Sequence, residues 1–395
     1  MKNFIFISPN FPENYWNFCR ELKNNGINVL GIGDCPYDNL TQDLRNSLNE
    51  YYKVSSLENY DEVFRAVAFF SFKYGKIDFI ESNNEYWLER DALLRTEFNV
   101  KSGFLAKDVK KIKFKSQMKK YYAKAGVKTA RFCLPKTLNT AKKFIAEVGY
   151  PVIVKPDNGV GAADTRKLKN DSDLEEFFNT KHPVQYIMEE YIDAEVYTYD
   201  AIIDSHGNPI FETGNVTPDS LMDVVNDGGN CVFYILNEPY DDVREKGRET
   251  VKAFGVKSRF VHFEFFRLNK DQHIGNKGEI VALEVNMRPS GGISPDMMNY
   301  ANSTNVYKIW ADMIAYDSSL VPVGEKYFCA FAGRRDGKNF VYSEEELKAK
   351  YAENIKMTAR VPEALSNTMG NTLFIAAFKT KKAMNEFYSD ALKIN

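Results

Sequence analysis

The sequence predicts an α/β domain followed by α+β domains, and three observations carry this prediction. The first hundred residues alternate short apolar strands with amphipathic helical stretches. Further on, an apolar strand that ends in lysine runs into a glycine-rich turn. Finally, strands rich in aromatic and β-branched residues dominate residues 195–286. Alternating strands and helices are typical of a parallel sheet with helices on its faces, whereas successive strands joined by turns favour hairpins.

The length and composition exclude several classes of protein. A single core usually stops growing at about 250 to 300 residues, so a chain of 395 residues is expected to form two or three domains. Hydrophobic residues make up 44% and charged residues 27%, which is typical of a globular protein. The net charge of −2 provides no overall field to attract nucleic acid or an acidic membrane. We therefore expect no nucleic-acid partner and no membrane partner.

The cysteines and the N-terminus give no sign of secretion. The five cysteines are odd in number and widely scattered, and none forms a CxxC pair, which argues against a disulfide framework or a zinc site. The four histidines show no metal-ligand spacing either. The start MKNFIFISPN runs straight into a strand pattern, without a secretory signal, and no apolar run is long enough to cross a bilayer. These features predict a cytoplasmic location.

The first domain is predicted from successive strand and helix units. Strand FIFIS is followed by an amphipathic stretch from Tyr15 to Asn25 and by the strand INVLGIG. A helix near Tyr60 to Tyr74, ended by Gly75, then leads into the strand KIDFIES. The segment from Lys107 to Gly126 is lysine-rich and amphipathic, with Gly126 suited to end a helix. A basic run of this kind usually forms the solvated face of a helix.

A smaller α+β block is predicted from Arg131 onward. It contains a helix from Thr140 to Glu147, the strand PVIVK, a glycine-rich turn, a helix from Ser172 to Asn179 and the strand VQYIMEEY. Turn signals at SHGNP and VNDGGN interrupt the later strands. The tail begins with a helix, continues through the strand KYFCAFAG and includes a charged helix from Ser343 to Glu353.

The first chemical motif is GYPVIVKPDNGVGAADT, residues 149–165. Lys155 leaves an apolar strand, and Gly159 and Gly161 stand in the turn beyond it. Glycine lets backbone N–H groups approach a phosphate closely, and a lysine supplies a point charge, so the segment is suited to hold polyphosphate. It is neither a Walker loop nor a GxGxxG motif. The alternative is a glycine-rich hairpin with one lysine that extends its ammonium group to solvent.

The second motif is IMEEYIDAEVYTYD, residues 187–200. Glu189 and Glu190 end an apolar strand, and the chain from there to Ile192 is suited to form a hinge whose backbone groups bind the edge of an adenine. Glu195 would then accept a hydrogen bond from a ribose hydroxyl. Acidic residues at a strand end are also common without any ligand, and this alternative stays open for the motif taken alone.

The third motif is a pair of strands, RFVHFEFFRL and IVALEVNMRP, joined by a polar turn that favours a hairpin. Period two places Glu284, Asn286 and Arg288 on one face of the second strand, and the hairpin would bring Glu264 close to Glu284. The apolar residues of that strand, predicted to face the other way, are Val281, Leu283, Val285 and Met287.

Two carboxylates and an amide oxygen on one face form a site of hard oxygen ligands for Mg²⁺. The alternative is the solvated outer face of an antiparallel sheet. Arg288 is followed by Pro-Ser-Gly-Gly, and a guanidinium before a glycine turn suits the binding of an anion. This continuation favours the functional interpretation.

Taken together, these motifs resemble the ATP-grasp superfamily, in particular its carboxylate–amine ligases, including L-amino acid ligases, and the halves of the carbamoyl-phosphate synthetase large subunit. The resemblance implies a Rossmann-like pre-ATP-grasp domain followed by an ATP-grasp fold, in which two α+β subdomains clamp ATP. The implied domains are residues 1–106, the ATP-grasp domain 107–308 with a small lid subdomain 130–193, and a C-terminal α+β segment 309–395 that packs on the grasp domain.

The resemblance also implies roles for individual residues. The nucleotide would be bound by Lys115, Lys155, Gly159, Gly161, Glu189, Glu190, Ile192 and Glu195. Magnesium or manganese would be bound by Glu264, Glu284 and Asn286, while Arg288 and Lys155 would act in catalysis. Phe114 departs from the pattern, since many relatives place an acidic residue before the helix lysine.

The implied reaction is the ATP-dependent activation of a small-molecule carboxylate as an acyl phosphate, followed by transfer to a small-molecule amine, with the glycine loop 159–165 as a lid. An amino acid ligase that forms an amide or peptide bond is one reaction of this kind. Homodimers are the common default for such enzymes. Within the superfamily, the alternative is a carboxylating enzyme similar to biotin carboxylase or carbamoyl-phosphate synthetase. Other classes are a nicotinamide oxidoreductase, for which the first strand lacks GxGxxG, and a nucleotide-binding sensor without chemistry. Candidate pocket residues are Glu85, Trp87, Arg334 and Arg335.

Overall fold

The computed structural model describes residues 1–159, 164–218 and 231–395, and its N-terminal part contains a four-stranded parallel sheet of order β3-β2-β1-β4. The strands are β1 (Asn3–Ile7), β2 (Asn28–Gly33), β3 (Glu50–Lys53) and β4 (Phe79–Glu81). The helices are α1 (Trp16–Asn24), α2 (Gln42–Ser47), α3 (Tyr60–Tyr74) and α4 (Leu88–Glu97). The predicted Rossmann-like architecture of this domain is confirmed.

Local sequence signals explain why these elements form where they do. Every residue of β1 is buried, as expected for a strand covered by helices on both faces. Helix α3 has the predicted limits: the Asn59 side chain accepts a hydrogen bond from the backbone N–H of Glu62, and Gly75 ends the helix with a φ of 83°. The predicted helix from Tyr15 to Asn25 is one residue shorter at each end.

A second, smaller sheet is antiparallel and has the order β5-β8-β6-β7. Its strands are β5 (Phe132–Cys133), β6 (Val152–Pro156), β7 (Arg166–Leu168) and β8 (Tyr186–Glu190). Two helices cover it, α7 (Leu138–Val148) and α8 (Asp171–Asn179). Both helices lie within one or two residues of their predicted starts and ends. The sheet falls inside the segment predicted as a small lid subdomain.

A large sheet contains nine strands within the described ranges, in the order β14-β13-β9-β11-β12-β15-β17-β16, with β10 paired to β9. The strands are β9 (Ala194–Ile203), β10 (Pro209–Thr213), β11 (Asn215–Thr217), β12 (Cys231–Ile235), β13 (Arg259–Leu268), β14 (Ile280–Asn286), β15 (Phe328–Arg334), β16 (Ile355–Arg360) and β17 (Thr372–Phe378). The tail supplies β15 to β17, so it hydrogen-bonds into this sheet in addition to packing on it. The predicted turn VNDGGN lies outside the described residues.

Eight helices complete the description of the chain in the part that the structure covers. Two precede the small sheet, α5 (Val109–Lys113) and α6 (Lys115–Lys124). The others accompany the large sheet: α9 (Asp241–Phe254), α10 (Ser294–Asn302), α11 (Val306–Tyr316), α12 (Glu344–Lys350), α13 (Glu363–Met369) and α14 (Lys381–Leu392). Among the residues described, no helix is long and apolar enough to cross a membrane.

The lysine-rich segment departs from the prediction. It is two helices, because Phe114 has extended backbone angles of −93° and 113° and separates α5 from α6. The expectation of a solvated face is wrong for Lys113, Lys115 and Lys119, which are only 4% to 8% exposed. Each of them is buried against a carboxylate from another part of the chain, as required when a charge leaves water.

A buried ionic cluster joins the parallel sheet to the large sheet. Glu81 Oε2 at the end of β4 lies 2.6 Å from Arg259 Nη2 and 3.3 Å from Arg95 Nη1. Burial raises the pKa of Glu81, but the two arginines outweigh it, and the net pKa is lowered. Arg259 also donates a 2.7 Å hydrogen bond to the carbonyl oxygen of Met287. The cluster thereby fixes the end of β14 against the N-terminal domain.

Candidate functional site

The centre of the site is a carboxylate held between two lysines. In the antiparallel register of β6 and β8, Glu189 stands opposite Ile153 and Lys155 opposite Ile187, so the two charged side chains are diagonal neighbours on one face. Lys155 Nζ lies 2.7 Å from Glu189 Oε2, and Lys119 Nζ contacts Oε1. Burial alone would raise the pKa of Glu189, but the lysines more than offset it and lower the pKa to about 2. Glu189 is therefore ionised at neutral pH.

We expect Glu189→Gln to destabilise the protein by about 3 kcal/mol at pH 7, because two buried ammonium groups would lose their shared counter-charge. The pKa of Glu189 is lower in the folded state than its ordinary value of 4.5, so its stabilising contribution is present above that value and is lost as the pH falls towards about 2. Urea unfolding at pH 7 and pH 3.5 should show the gap between the two proteins narrowing at the lower pH. A gap independent of pH would mean that Glu189 does not act through its charge.

Lys115 connects the start of α6 to the large sheet. Its Nζ lies 3.0 Å from Glu284 Oε1 and 3.3 Å from the carbonyl oxygen of Gly159. The start of α6 is held by Asp157, which accepts hydrogen bonds from the backbone N–H and the hydroxyl of Ser116. Burial would lower the pKa of Lys115, but Glu284 raises it above the ordinary value. The lysine is therefore a cation beside the glycine turn.

The predicted hairpin forms, and its two carboxylates face each other. In the register of β13 and β14, Glu264 is paired with Glu284 and His262 with Asn286. Burial would raise the pKa of Glu264, but His262 lowers it more, with smaller contributions from Arg288 and Lys115. The net effect is a lowered pKa, so Glu264 carries a negative charge at neutral pH. The structure thus brings together the three residues predicted to bind a metal ion.

One detail of the predicted alternation is wrong. The register shifts after Glu264 and Glu284, so that Phe265 pairs with Ala282 and Leu283 is left over as a bulge. Ala282 consequently packs in the same core as Val285, although alternation had placed it on the face of Glu284. The register on the turn side of the bulge would, if continued, pair Glu264 with Leu283, so the bulge is what brings Glu284 opposite Glu264.

His262 lies two residues before Glu264 on β13 and links its carboxylate to the neighbouring strand β9. Its Nδ1 lies 2.8 Å from Asp200 Oδ1 in β9, and its Nε2 lies 3.2 Å from Glu264 Oε1. Burial would lower the pKa of His262, but Asp200 and Glu264 raise it to about 9. A protonated imidazole between two carboxylates donates to both and fixes the orientation of Glu264.

Glu264, Glu284 and Asn286 fit a magnesium ion whose remaining ligands come from a substrate and water. No three His, Cys, Asp or Glu side chains of the described residues converge into a complete metal cage. Mg²⁺ in phosphate-transfer sites typically takes only one or two carboxylates and obtains its remaining ligands from phosphates and water. Glu264 and Glu284, with the amide of Asn286 next along the strand, match that donor set.

Arg288 follows β14 and reaches the N-terminal domain. Its Nε lies 3.6 Å from Glu85 Oε2, and its Nη1 donates a 2.8 Å hydrogen bond to the carbonyl oxygen of Pro289. The Arg288 side chain is 15% exposed, so it is not fully enclosed by the protein. Its influence on the pKa of Glu264 shows that it lies near the carboxylate row.

Glu190 and Ile192, two of the residues predicted to form the adenine hinge, lie in different surroundings from each other. Glu190 accepts hydrogen bonds of 2.8 Å from the backbone N–H and from Nε of Arg131, and one of 2.6 Å from Nη2. Its carboxylate therefore anchors the residue just before β5, the first strand of the small sheet. Ile192 is buried with Ala130, Leu268 and Val281 where the two sheets meet. Backbone binding of an adenine at this segment stays a prediction.

Two other predicted residues are not brought to the cluster. In β9, Thr198 pairs with Glu264 and Asp200 with His262, whereas Glu195 pairs with Arg267 and accepts a 3.1 Å hydrogen bond from the hydroxyl of Tyr197. Because side chains alternate along a strand, Glu195 points to the opposite face from Thr198. Gly161 lies outside the described residues. Their nucleotide-binding roles stay predictions.

Sequence reasoning missed several residues that the structure places at the site. Lys119 and Lys113 were expected to be solvated, and neither Asp200 nor His262 was assigned a role. The sequence does contain a signal for Asp200 and His262, because strand alternation places each of them on the face of the sheet that carries Glu264. Of the candidate pocket residues, Glu85 lies beside Arg288. Arg334 instead donates to the carbonyl oxygens of Ala391 and Tyr342 in the C-terminal part.

Sequence comparison places a known domain over this site. The family model of the ATP-grasp domain matches residues 118–292. The carbamoyl phosphate synthase large chain of Agathobacter rectalis is 26% identical over 194 residues, which are 48% of this chain and 17% of that protein. The chain thus spans much less than two thirds of the length of this curated relative.

Structural comparison extends the likeness to the whole chain. The L-amino acid ligase from Bacillus licheniformis has a TM-score of 0.72 at 15% identity, covering 100% of this chain and 98% of the ligase. The biotin carboxylase domain of the Hydrogenobacter thermophilus 2-oxoglutarate carboxylase, solved as a dimer with MgADP and bicarbonate, has a TM-score of 0.72 at 15% identity, with coverages of 99% and 89%. Residues 118–292 of this chain thus match the model of the ATP-grasp domain, and the chain as a whole shares the fold of these solved structures.

Proposed function

We propose that this protein is an ATP-dependent carbon–nitrogen ligase that activates a carboxylate as an acyl phosphate, joins it to an amine and releases ADP. The observation that carries the proposal is the facing pair of Glu264 and Glu284 beside Lys115, with Arg288 next along the chain. These residues would supply the metal ligands, a cation for the phosphates and an arginine for the acyl phosphate, which are the groups that the two steps of such a reaction require.

When the nucleotide binds, its phosphate groups would replace carboxylates as the partners of two lysines. Lys115 and Lys155 are held by Glu284 and Glu189, and a phosphate group can replace a carboxylate as the partner of each ammonium group. The displaced charges would stay compensated, because Glu189 keeps Lys119 as its partner and Glu284 would bind the metal ion. Glu264, Glu284 and Asn286 would hold Mg²⁺ or Mn²⁺, which when bound supplies positive charge against the charge that develops on the γ-phosphate. Because His262 fixes Glu264 in place, that part of the site is organised before ATP binds.

The chain's own residues then act on the carboxylate. A carboxylate oxygen attacks the γ-phosphate while Lys155 stabilises the phosphoryl oxygens. Arg288 holds the resulting acyl phosphate through its planar fork, and the amine attacks the acyl carbon and displaces phosphate. Water has to be excluded because it would hydrolyse this intermediate. The loop 159–165, predicted as a lid, lies partly outside the described residues.

The proposed partners are small molecules. The net charge of −2 and the closely paired charges of the site leave no basic surface field for nucleic acid. A homodimer and a cytoplasmic location stay predictions. A carboxylating reaction is the alternative, since the same site would activate bicarbonate in place of an organic carboxylate.

We expect ADP release from Mg·ATP to be stimulated by a carboxylate and an amine supplied together, because Lys115, proposed to bind phosphate, lies beside Glu284, proposed to bind the metal ion. Pairwise mixtures of small carboxylates and amines should be screened for ADP and for the coupled product, with bicarbonate as a separate arm. AMP and pyrophosphate from a productive pair would exclude an acyl phosphate. Stimulation by bicarbonate alone would favour the carboxylating alternative.

A further inference from the structure

Tyr122 in helix α6 has a buried hydroxyl group without a hydrogen-bond partner. The residue is 0% exposed, and its Oη contacts no donor or acceptor among the residues that the structure describes. A buried polar group that stays unsatisfied costs about 1 to 3 kcal/mol, so phenylalanine would suit this position better if packing alone mattered. Buried polar groups in proteins are nearly always paired. The hydroxyl therefore requires an explanation other than packing.

Helix geometry places Tyr122 on the same face of α6 as two lysines of the site. Lys115, Lys119 and Tyr122 are spaced by four and three residues, which aligns them in one stripe along the helix. Lys115 pairs with Glu284 in the large sheet, and Lys119 pairs with Glu189 in the small sheet. Tyr122 thus continues the stripe of α6 that faces the carboxylates of the site.

The ring of Tyr122 is held by apolar packing on the large sheet. It lies in the same core as Ala282 and Val285 of β14, and it meets the ring of Phe254 at the end of α9 edge to face, with centroids 5.5 Å apart. A tyrosine combines an apolar ring with a polar tip, and a ring that is enclosed in this way fixes the position of the hydroxyl.

The hydroxyl of Tyr122 lies in the negative field of three carboxylates. Burial is the largest cause of its pKa being raised well above the ordinary value, and the charges of Glu284, Glu264 and Glu189 raise the pKa further, in that order. The hydroxyl therefore keeps its proton at neutral pH and is available as a donor. Among the three carboxylates, Glu284 acts on it most strongly.

Glu284 is the member of the proposed metal-binding pair that lacks a lasting partner. Glu264 has a hydrogen bond from His262, which nucleotide binding leaves in place. The described residues supply no partner for the Glu284 side chain besides Lys115, whose Nζ lies 3.0 Å from Oε1. A phosphate that takes up Lys115 would remove this contact. Metal-binding carboxylates are normally oriented by a hydrogen bond from a neighbouring group.

We propose that Tyr122 is a positioning residue of the metal site, whose hydroxyl donates a hydrogen bond to Glu284 once the nucleotide has taken up Lys115. The inference rests on the metal site of the proposed function and adds a residue to it. A neutral hydroxyl orients the carboxylate without cancelling the negative charge that binds the cation, which a lysine would do. The same hydrogen bond would satisfy the hydroxyl that has no partner in the structure.

The Tyr122→Phe variant removes the oxygen atom and keeps the ring. We expect the affinity for Mn²⁺ in the presence of ATP, followed by electron paramagnetic resonance, to weaken about tenfold, as for other groups that orient a metal ligand. The urea midpoint of the protein without nucleotide should stay the same or rise, because an unsatisfied polar group is removed. A lower midpoint with unchanged Mn²⁺ affinity would overturn the inference and leave Tyr122 a residue of the core.

Tyr121→Phe is the matched control, because Tyr121 is the preceding residue of the same helix and its ring also packs on Phe254, with centroids 5.1 Å apart. It lies outside the stripe, with Lys111 and Lys124 over its ring. The control should leave the Mn²⁺ affinity unchanged. An equal loss of affinity in both variants would mean that the effect comes from the packing of α6 and would contradict the inference.

A double-mutant cycle tests whether Tyr122 acts through Glu284. In a Glu284→Gln background, the further change Tyr122→Phe should weaken Mn²⁺ binding by no more than about twofold, because two residues that act through one contact are not additive. A full further loss in that background would show that the hydroxyl acts on a different group, and the inference would be wrong.

Kinetics separate this inference from the ligase function. For Tyr122→Phe, the Mg²⁺ concentration that gives half-maximal ADP release should rise about tenfold, while turnover at saturating Mg²⁺ stays within about twofold of the unmodified protein. Failure of the unmodified protein to bind Mn²⁺ with ATP would contradict the metal site and the inference together. The expected difference in Mn²⁺ affinity, without ADP release from any carboxylate and amine, would contradict the ligase function alone.

Discussion

Replacing Glu284 by glutamine is expected to lower turnover by about a hundredfold or more at saturating Mg·ATP, while the protein stays folded. Glu284 faces Glu264 across the hairpin, and its ion-pair partner in the structure is Lys115. Glutamine fits the same space but exchanges an anionic oxygen for a weaker neutral ligand. The metal ion would then be bound less tightly. Its positive charge stabilises the negative charge that develops on the phosphate, and that stabilisation is worth several kcal/mol.

Glu279→Gln is the matched control, because Glu279 lies just before β14 in the same hairpin and is 38% exposed in a surface pair with Lys128. Its turnover should be unchanged. A second measurement, the affinity for Mn²⁺ in the presence of ATP followed by electron paramagnetic resonance, should weaken for Glu284→Gln and not for the control. Unchanged turnover of Glu284→Gln at limiting Mg²⁺ would contradict the metal assignment and return β14 to a purely structural role.

The carboxylate pair was predictable because it depends on local geometry alone. A polar turn between two strands predicts a hairpin and so brings Glu264 close to Glu284 without any information from distant parts of the chain, although it is the bulge at Leu283 that sets the two carboxylates directly opposite each other. The bulge at Leu283 was not predictable, since an extra residue in a strand leaves no signal in a pattern of apolar and polar residues. The same limitation applies to Glu195, where a shift of one position along β9 decides which face the side chain occupies.

The burial of the lysines could not be read from the sequence for a different reason. Lys113, Lys115 and Lys119 lie in one basic run, and a helical pattern cannot distinguish a lysine in solvent from one that pairs with a carboxylate far away in the chain. Their partners come from the N-terminal loop, the large sheet and the small sheet. The sequence alone does not reveal such a network, because its members come together only when these three parts of the fold pack against one another.

Replacing Arg288 by lysine is expected to lower the rate of ligation by on the order of a hundredfold while leaving ATP affinity nearly unchanged, similar to the loss of one well-placed oxyanion donor. Arg288 follows the strand that carries Glu284 and Asn286 and lies beside Glu85, whereas Lys155 pairs with Glu189. Its planar fork can bind two anionic oxygens at once, which a lysine cannot reproduce. The acyl phosphate would therefore be held less firmly, and more of it would be lost to water before the amine attacks.

Two measurements decide the role of Arg288: nucleotide affinity by calorimetry and the ratio of ADP to ligated product. For Arg288→Lys we expect normal affinity and a ratio that rises above one, because ATP is consumed without ligation. Arg244→Lys, at a surface arginine that pairs with Glu238 and Asp241 on α9, should change neither quantity. A large loss of ATP binding with a normal ratio would place Arg288 in the nucleotide site, and the carboxylate substrate would then have to bind elsewhere than at Arg288.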